Sequence, residues 1–368
     1  MQLHARTPSS EHLDLLVSLA IGQPLTKPVT AEFIEVIRLH RLEGVALLAI
    51  EKQRATATHD VRSALAMDVL AWQASRARMV LAVEHLVPKI RALGIEPAIA
   101  KGLAIEDLTG PGSATRPAVD IDLFIEPAQV QRIGEILDLL EPEADHALMG
   151  LLARQGWVFE ETVEVLGVDV DVHRDILNCL VPSKDPDRLW SETSDMRVGS
   201  TLVTRPNLEL AILISLLHLA RDGFSLMLGV HDLIRLFDRE PEWAKLRALL
   251  TSQGLLQVGS YACATIDQLA GRSSPLSASL KPSYAKAMDR AWPHNRRWRG
   301  QRGVANAART QNYVSLFITD RRLERAKALK NRLLLPNEVL NFRYPQGTGS
   351  YPSRLVGWRM HQREQLKR

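Results

Sequence analysis

Apolar residues recur at helical spacing over the first ninety positions of the chain. Ser9 and Ser10 precede a run carrying Leu13, Leu15, Leu16 and Leu19, and Thr30 with Glu32 precedes Phe33, Ile34, Val36 and Ile37. In both places a side-chain oxygen stands where the first helical N–H groups need an acceptor. From Val61 to Leu93 the chain is rich in Ala, Met, Leu, Arg and Glu and meets no proline before Pro88, which predicts a long third helix. Residues 1–94 therefore read as a helical N-terminal region.

The period then changes. Glu96 to Ala100 reads as a short strand, Gly102 to Leu108 as one or two helical turns, and Thr109 to Ser113 as a loop. Val119 to Ile125 alternates with period two and predicts the clearest strand of the chain. Pro127 opens a helix through Val130, Ile133, Ile136, Leu137 and Leu140, since proline suits a first helical turn. A second alternating segment runs from Thr162 to Arg174. Strand, helix, strand, helix, strand make a small α/β core over 95–178. From Pro206 the helical period returns: Asn207 caps Leu208 to Ala220, and further helices are predicted at 229–237, 242–253, 254–270, 280–292 and 318–335. The expected class is α+β, a small mixed-sheet core between helical layers, with a helical region over 179–280 and another over 281–368.

Charge divides that last region from the rest. The 368 residues carry a formal net charge of only +4, yet residues 281–368 hold 20 Lys and Arg against 5 Asp and Glu, and residues 1–280 hold 26 against 37. Arg296, Arg297, Arg299, Arg302, Arg343, Arg354 and Arg359 alternate there with Trp292, Trp298, Tyr313, Tyr344, Tyr351 and Trp358. Amphipathic packing with arginines reaching to solvent comes first as an explanation, an anionic acceptor second and nucleic acid third. Two cysteines, Cys179 and Cys263, exclude a disulfide framework. The most apolar stretch, Leu208 to Ala220, is too short to span a bilayer, which needs roughly 20 residues. With no apolar leader after Met1, a cytoplasmic location without a membrane span is expected.

The candidate chemistry lies on the alternating segments. Period two puts Asp120 and Asp122 on one face, about 6.6 Å apart along the strand, while Ile121, Leu123 and Ile125 face a core. Two carboxylates held together repel, and a cation between them relieves the repulsion. Mg²⁺, a hard ion with oxygen ligands that substrate phosphates complete, suits such a pair. The segment Val168 to Arg174 places Asp169, Asp171 and His173 on one face as well. If the two strands are neighbours, a third carboxylate completes a site for two Mg²⁺ ions, as used in in-line phosphoryl or nucleotidyl transfer. A half-exposed strand with a merely solvated polar face is the competing explanation. The third Asp-x-Asp, Asp185 to Asp187, lies in a polar loop and reads as surface.

At Lys101-Gly102, at Arg116-Pro117-Ala118-Val119-Asp120-Ile121-Asp122-Leu123 and at Asp171-Val172-His173, the sequence resembles the uncharacterised nucleotidyltransferase family of the DNA polymerase β-like superfamily. Weaker similarity continues through Leu216 to Ala220, Asp232-Leu233, Leu334 to Pro336 and Arg343 to Pro345. The chain departs from the family at Leu103, where alanine is usual, and at Asp222, where histidine is common. Gly112-Ser113 lies too close to Asp120 to be the phosphate-holding loop of the better-known relatives. The resemblance implies a polymerase β-like core in which Asp120, Asp122 and Asp171 hold Mg²⁺. Asp171 would also help deprotonate an acceptor hydroxyl. It further implies that Lys101, Gly102 and Arg116 meet the phosphates of an NTP and that His173 positions an oxygen or a carboxylate. The implied reaction moves a nucleoside monophosphate from an NTP, ATP included, to a hydroxyl or phosphate of an acceptor and releases pyrophosphate. The acceptor would be a peptide, a sugar or another small molecule, for instance an intermediate of peptide or polysaccharide biosynthesis. A nucleotide-binding adaptor whose basic region docks a partner, and an RNA-modifying nucleotidyltransferase, are the alternatives.

Two other signals fail. His173-Arg174-Asp175 looks like a kinase catalytic loop, but Leu180 stands where that loop needs asparagine. Gly110-Pro111-Gly112 lacks the third glycine of a dinucleotide fingerprint and precedes a strand instead of a helix.

Overall fold

Three antiparallel strand pairs, joined through two parallel contacts, make one six-stranded mixed sheet in the order β3-β4-β2-β1-β6-β5. The strands are β1 (Pro97–Ala100), β2 (Asp120–Ile125), β3 (Glu160–Val165), β4 (Val168–His173), β5 (Thr193–Val198) and β6 (Thr201–Pro206). β2 and β4 run parallel, as do β1 and β6. The computed structural model describes residues 10–110, 116–140, 160–177, 183–221, 224, 226–291, 320, 340, 349–350 and 352–354. Gly112-Ser113, Cys179, Asp222, the helix expected at 318–335 and nearly all of the basic aromatic region after Ala291 lie outside the described residues.

The sheet separates two cores. On one face Ile121, Leu123, Ile125, Val163, Val165, Val170 and Val172 pack with Ile133, Ile136 and Leu137 of helix α6 (Ile133–Leu140). Each fully buried side chain of this kind contributes about 1.5–3 kcal/mol. The opposite face carries Ala98, Ala100 and Phe124. It is covered by α1 (Ser10–Ala20), α2 (Ala31–Leu39), α3 (Glu43–Glu51) and the later helices α8 (Leu208–Arg221), α9 (Met227–Phe237), α10 (Trp243–Gln253) and α11 (Leu256–Ala270). α4 (His59–Ala92) serves both: Val61, Leu65 and Val69 enter the second core, and Met79, Ala82, Val83, Leu86, Val87 and Ile90 enter the first. α12 (Pro282–Ala291) closes the described helical layer.

Two features differ from the sequence reading. The single alternating segment at Thr162–Arg174 is a hairpin, β3 and β4, turned at Leu166 and Gly167 with φ of 54° and 73°. Two successive residues in the left-handed region suit the right-handed twist of flanking strands. The valine pattern steps by three positions between Val165 and Val168, a break in the alternation that marks the turn, and the two valines pair across the hairpin on one face. β5 and β6 were not expected at all, and they carry the sheet past residue 178. Their turn at Gly199-Ser200 is held by Glu84 of α4, which accepts from Ser200 N–H at 2.6 Å and from its hydroxyl at 2.7 Å. A Cβ on Gly199 would lie 2.3 Å from that carboxylate, and φ there is 57°. Glycine therefore satisfies both the turn and the close approach.

Candidate active site

The parallel register of β2 and β4 places Asp120 beside Asp169, Asp122 beside Asp171, and Phe124 beside His173. All six side chains leave the same face of the sheet, because neighbouring strands in register share their alternation. That face is the one roofed by the N- and C-terminal helices. Ala100 is the β1 partner of Asp122, so a small side chain leaves room next to the carboxylate.

Asp122 is the buried centre of the group, only 4% exposed. Its Oδ1 accepts a hydrogen bond from His173 Nε2 at 2.9 Å and contacts the Lys101 ammonium. A carboxylate only accepts, so His173 carries its proton on Nε2. The other face of that ring environment is equally fixed. His173 stacks on Phe124 with centroids 4.5 Å apart, and its Nδ1 lies 3.5 Å from a Glu160 carboxylate oxygen across the β3–β4 pair. Burial pushes the Asp122 carboxyl up, but the His173 hydrogen bond and the Lys101 charge prevail and hold it below its ordinary range. Asp120 moves the other way: burial, then the charges of Asp122 and Asp171, raise it, against Lys101 and Arg41. Asp171 accepts from the Thr162 hydroxyl at 2.5 Å.

Asp122, Asp171 and His173 each offer a ligand atom, and these atoms lie within 4.8 Å of one another. Two carboxylates with an imidazole beside them suit a divalent ion, and the Lys101 ammonium stands in for positive charge at the more buried carboxylate. Asp120 flanks this group.

Lys101 reaches the site from a strained backbone. Its φ of 52° and ψ of −132° belong to a region that glycine favours, at a cost of order 1–3 kcal/mol for other residues. It immediately precedes α5 (Gly102–Thr109), whose first N–H groups have no side-chain cap. Three arginines fix this helix. Arg76 of α4 holds Glu106 at 2.6 Å, Arg205 of β6 holds Asp107 at 2.7 Å, and Arg235 of α9 donates to the Thr109 carbonyl at 3.1 Å. A Cβ on Gly102 would sit 3.6 Å from Ala118 Cβ and 3.8 Å from the Asp120 carbonyl, ordinary contacts that the surrounding protein accepts.

Arg116 is placed differently from the other expected phosphate ligands. Its guanidinium is engaged with both oxygens of Asp232 on α9 at 2.9–3.0 Å. Asp232 is buried and Arg116 largely so, and the pair locks the approach to β2 onto the helical layer. Its charge still acts on Asp122 and Asp120. Two further groups lie near this cluster: Arg41, which the sequence did not single out, and His218, which lies in the segment of weaker family similarity. Arg41, in the turn between α2 and α3 with φ 56°, acts on Asp120, and its guanidinium makes no hydrogen bond or ion pair among the described residues. His218 of α8 accepts at Nδ1 from Arg221 at 3.1 Å. A guanidinium only donates, so the neutral ring carries its proton on Nε2, which is closed to solvent and has no partner among the described residues. Burial, then the charges of Lys101, Arg221 and His173, push the His218 pKa well down. No local motif announces Arg41; the packing of the helical layer over the sheet brings it here.

A mixed sheet in helical layers, with acidic side chains in register on adjacent strands and a lysine at a helix start, defines a nucleotidyltransferase-like architecture. The model of the family described as uncharacterised nucleotidyltransferase matches residues 29–271, more than half of the chain. The protein belongs to that family, and membership brings with it general nucleotidyl transfer with an NTP as substrate. No curated protein and no solved structure matches the chain. Among the described residues no helix is long and apolar enough to cross a membrane.

Proposed function

We propose that the protein transfers a nucleoside monophosphate from an NTP to a hydroxyl or phosphate of a small acceptor, releasing pyrophosphate, with Mg²⁺ held by Asp122, Asp171 and Asp120. The observation that carries this reading is the register of Asp122 with Asp171 on adjacent parallel strands, within ligand reach of each other and of His173. Bound there, a divalent ion supplies charge stabilisation at the transferring phosphoryl group. The protein's own residues do the rest. His173 keeps Asp122 ionised and oriented, as a hydrogen bond to the charged form does.

Asp171, the less buried carboxylate, takes the acceptor's proton as its oxygen attacks the α-phosphorus and the bond to the β-phosphate oxygen breaks. Lys101, a point charge, neutralises the departing phosphates, and Arg41, with its planar fork, grips the phosphates of the bound NTP. Arg116 contributes its field and holds β2 in place, since Asp232 engages its donors. Gly102 leaves the uncapped start of α5 open to a phosphate, which explains a glycine that neither φ nor protein contacts demand. Carboxylate ligands suit Mn²⁺ as well as Mg²⁺. A cytoplasmic pool of ATP or another NTP meets the substrate requirement.

The test is pyrophosphate release from each of the four NTPs with Mg²⁺ and a panel of hydroxyl and phosphate acceptors, repeated with Asp122→Asn and Asp171→Asn. Release lost in both variants supports the assignment. Binding of NTP with no turnover on any acceptor would support an adaptor role instead.

A further inference from the structure

Away from the acidic group, a half-open cavity lies where β2 and β4 end. It holds about 210 Å³ between the 3₁₀ turn at Pro127–Arg132 and the segment that follows β4. Its walls are mixed: Ile125, Val130, Ile176, Pro186 and Trp190 supply an apolar and aromatic side, and Gln131, Arg174, Asp175 and Ser183 a polar one. One cation faces this space. Arg174 lines the cavity, its Nη1 is closed to solvent, and its guanidinium has no hydrogen bond or ion pair among the described residues. The neighbouring Asp175 does not compensate it, because its oxygens accept from Leu177 N–H at 2.9 Å and from Ser183 N–H and hydroxyl, both at 2.7 Å.

A guanidinium nitrogen closed to solvent, with no acceptor among the described residues, is costly, and proteins pair such groups or fill the site. The volume exceeds the roughly 150 Å³ cavity that holds benzene in a protein interior, which leaves space for a ring and one small polar group. A single positive charge next to the Asp175 carboxylate favours a monoanion over a dianion such as phosphate. The apolar side of the walls favours an apolar body. We propose that this cavity binds a small carboxylate with an aromatic or compact apolar body, its carboxylate paired with Arg174 and its body against Trp190 and Ile176. The site lies one residue beyond the His173–Phe124 stack on each strand, so the ligand rests against the ends of the strands that carry the acidic group.

Isothermal titration of the full-length protein with benzoate, benzamide and inorganic phosphate tests this. Benzoate binds, benzamide, its neutral isostere, binds at least tenfold more weakly, and phosphate does not compete. Arg174→Gln reduces benzoate affinity at least tenfold, and Arg174→Lys retains part of it. Asp122→Asn leaves benzoate affinity unchanged, which separates this site from the nucleotide chemistry. Equal binding of benzamide and benzoate, displacement of benzoate by phosphate, benzoate binding unaffected by Arg174→Gln, or no benzoate binding at millimolar concentration would each overturn the proposal.

Discussion

Lys101 and Asp122 form an ion pair across adjacent strands, with the ammonium on the same Oδ1 that accepts from His173. The lysine thus holds the place at which a divalent ion would compete for that oxygen. Lys101→Met leaves a carboxylate that is only 5% exposed with one partner fewer, and breaking a buried pair of this kind costs about 3 kcal/mol. Urea unfolding at pH 7 is expected to show that loss. Saturating Mn²⁺ is expected to restore more stability to the variant than it adds to the native protein.

Arg116 and Asp232 are a second, largely buried pair, 116 positions apart in sequence. Arg116→Met and Asp232→Leu are each expected to destabilise the fold by about 3–5 kcal/mol, because each leaves the other charge buried alone. The double variant should lose markedly less than the sum. A double-mutant cycle measured by denaturant unfolding checks this, and additive losses would show that the two side chains do not depend on each other.

Arg41 has no partner among the described residues, so its replacement should cost the fold little. Arg41→Gln is expected to change stability by less than about 0.5 kcal/mol. It should raise the KM for the NTP about tenfold with kcat nearly unchanged, the pattern of an interaction made equally in ground and transition states. Steady-state kinetics over a nucleotide titration separates the two parameters.

Glu43 and His40 give stability opposite pH dependences. Burial pushes the Glu43 carboxyl up to about 7, against the charges of Arg38 and Arg41 and with that of Asp68, whereas burial takes His40 down to about 4. Between the ordinary carboxyl value and about 7 the folded protein holds the Glu43 proton that the unfolded chain has lost, so this group makes stability fall as pH rises. Between about 4 and the ordinary imidazole value the unfolded chain binds the proton that folded His40 refuses, so stability rises with pH. The two slopes oppose each other from about pH 4.5 to 6.5. Relative to the native protein, Glu43→Gln should make the slope of thermal midpoint against pH more positive in that window. His40→Gln should make it more negative.

Much of this arrangement is legible in the chain itself. Alternation at Val119–Ile125 marks β2 within one residue, and the same period puts Asp120 with Asp122 and Asp171 with His173. What periodicity cannot carry is which strands are neighbours. The pairing of β2 with β4 follows from packing of both valine- and isoleucine-rich faces on α4 and α6, and it sets the Asp122–Asp171 register. The β3–β4 turn shows in the sequence only as the three-position step from Val165 to Val168. β5 is hidden because Asp195 and Arg197 make its outer face as polar as a loop and Ser194 interrupts its inner face. Arg116 on Asp232, Arg41 on Asp120 and His218 over Lys101 are tertiary encounters between distant residues of ordinary type. No local spacing reports them.

The central claim is that Asp122 and Asp171 together hold the metal of a nucleotide substrate. Binding of Mn²⁺ with ATP or another NTP, followed by electron paramagnetic resonance, tests this without knowledge of the acceptor. Asp169, exposed on the same face of β4, supplies the control. Asp122→Asn and Asp171→Asn are each expected to weaken Mn²⁺–nucleotide binding at least tenfold, about 1.4 kcal/mol or more, while Asp169→Asn leaves it unchanged. Equal affinity in all three variants, or no binding by the native protein, would contradict that claim.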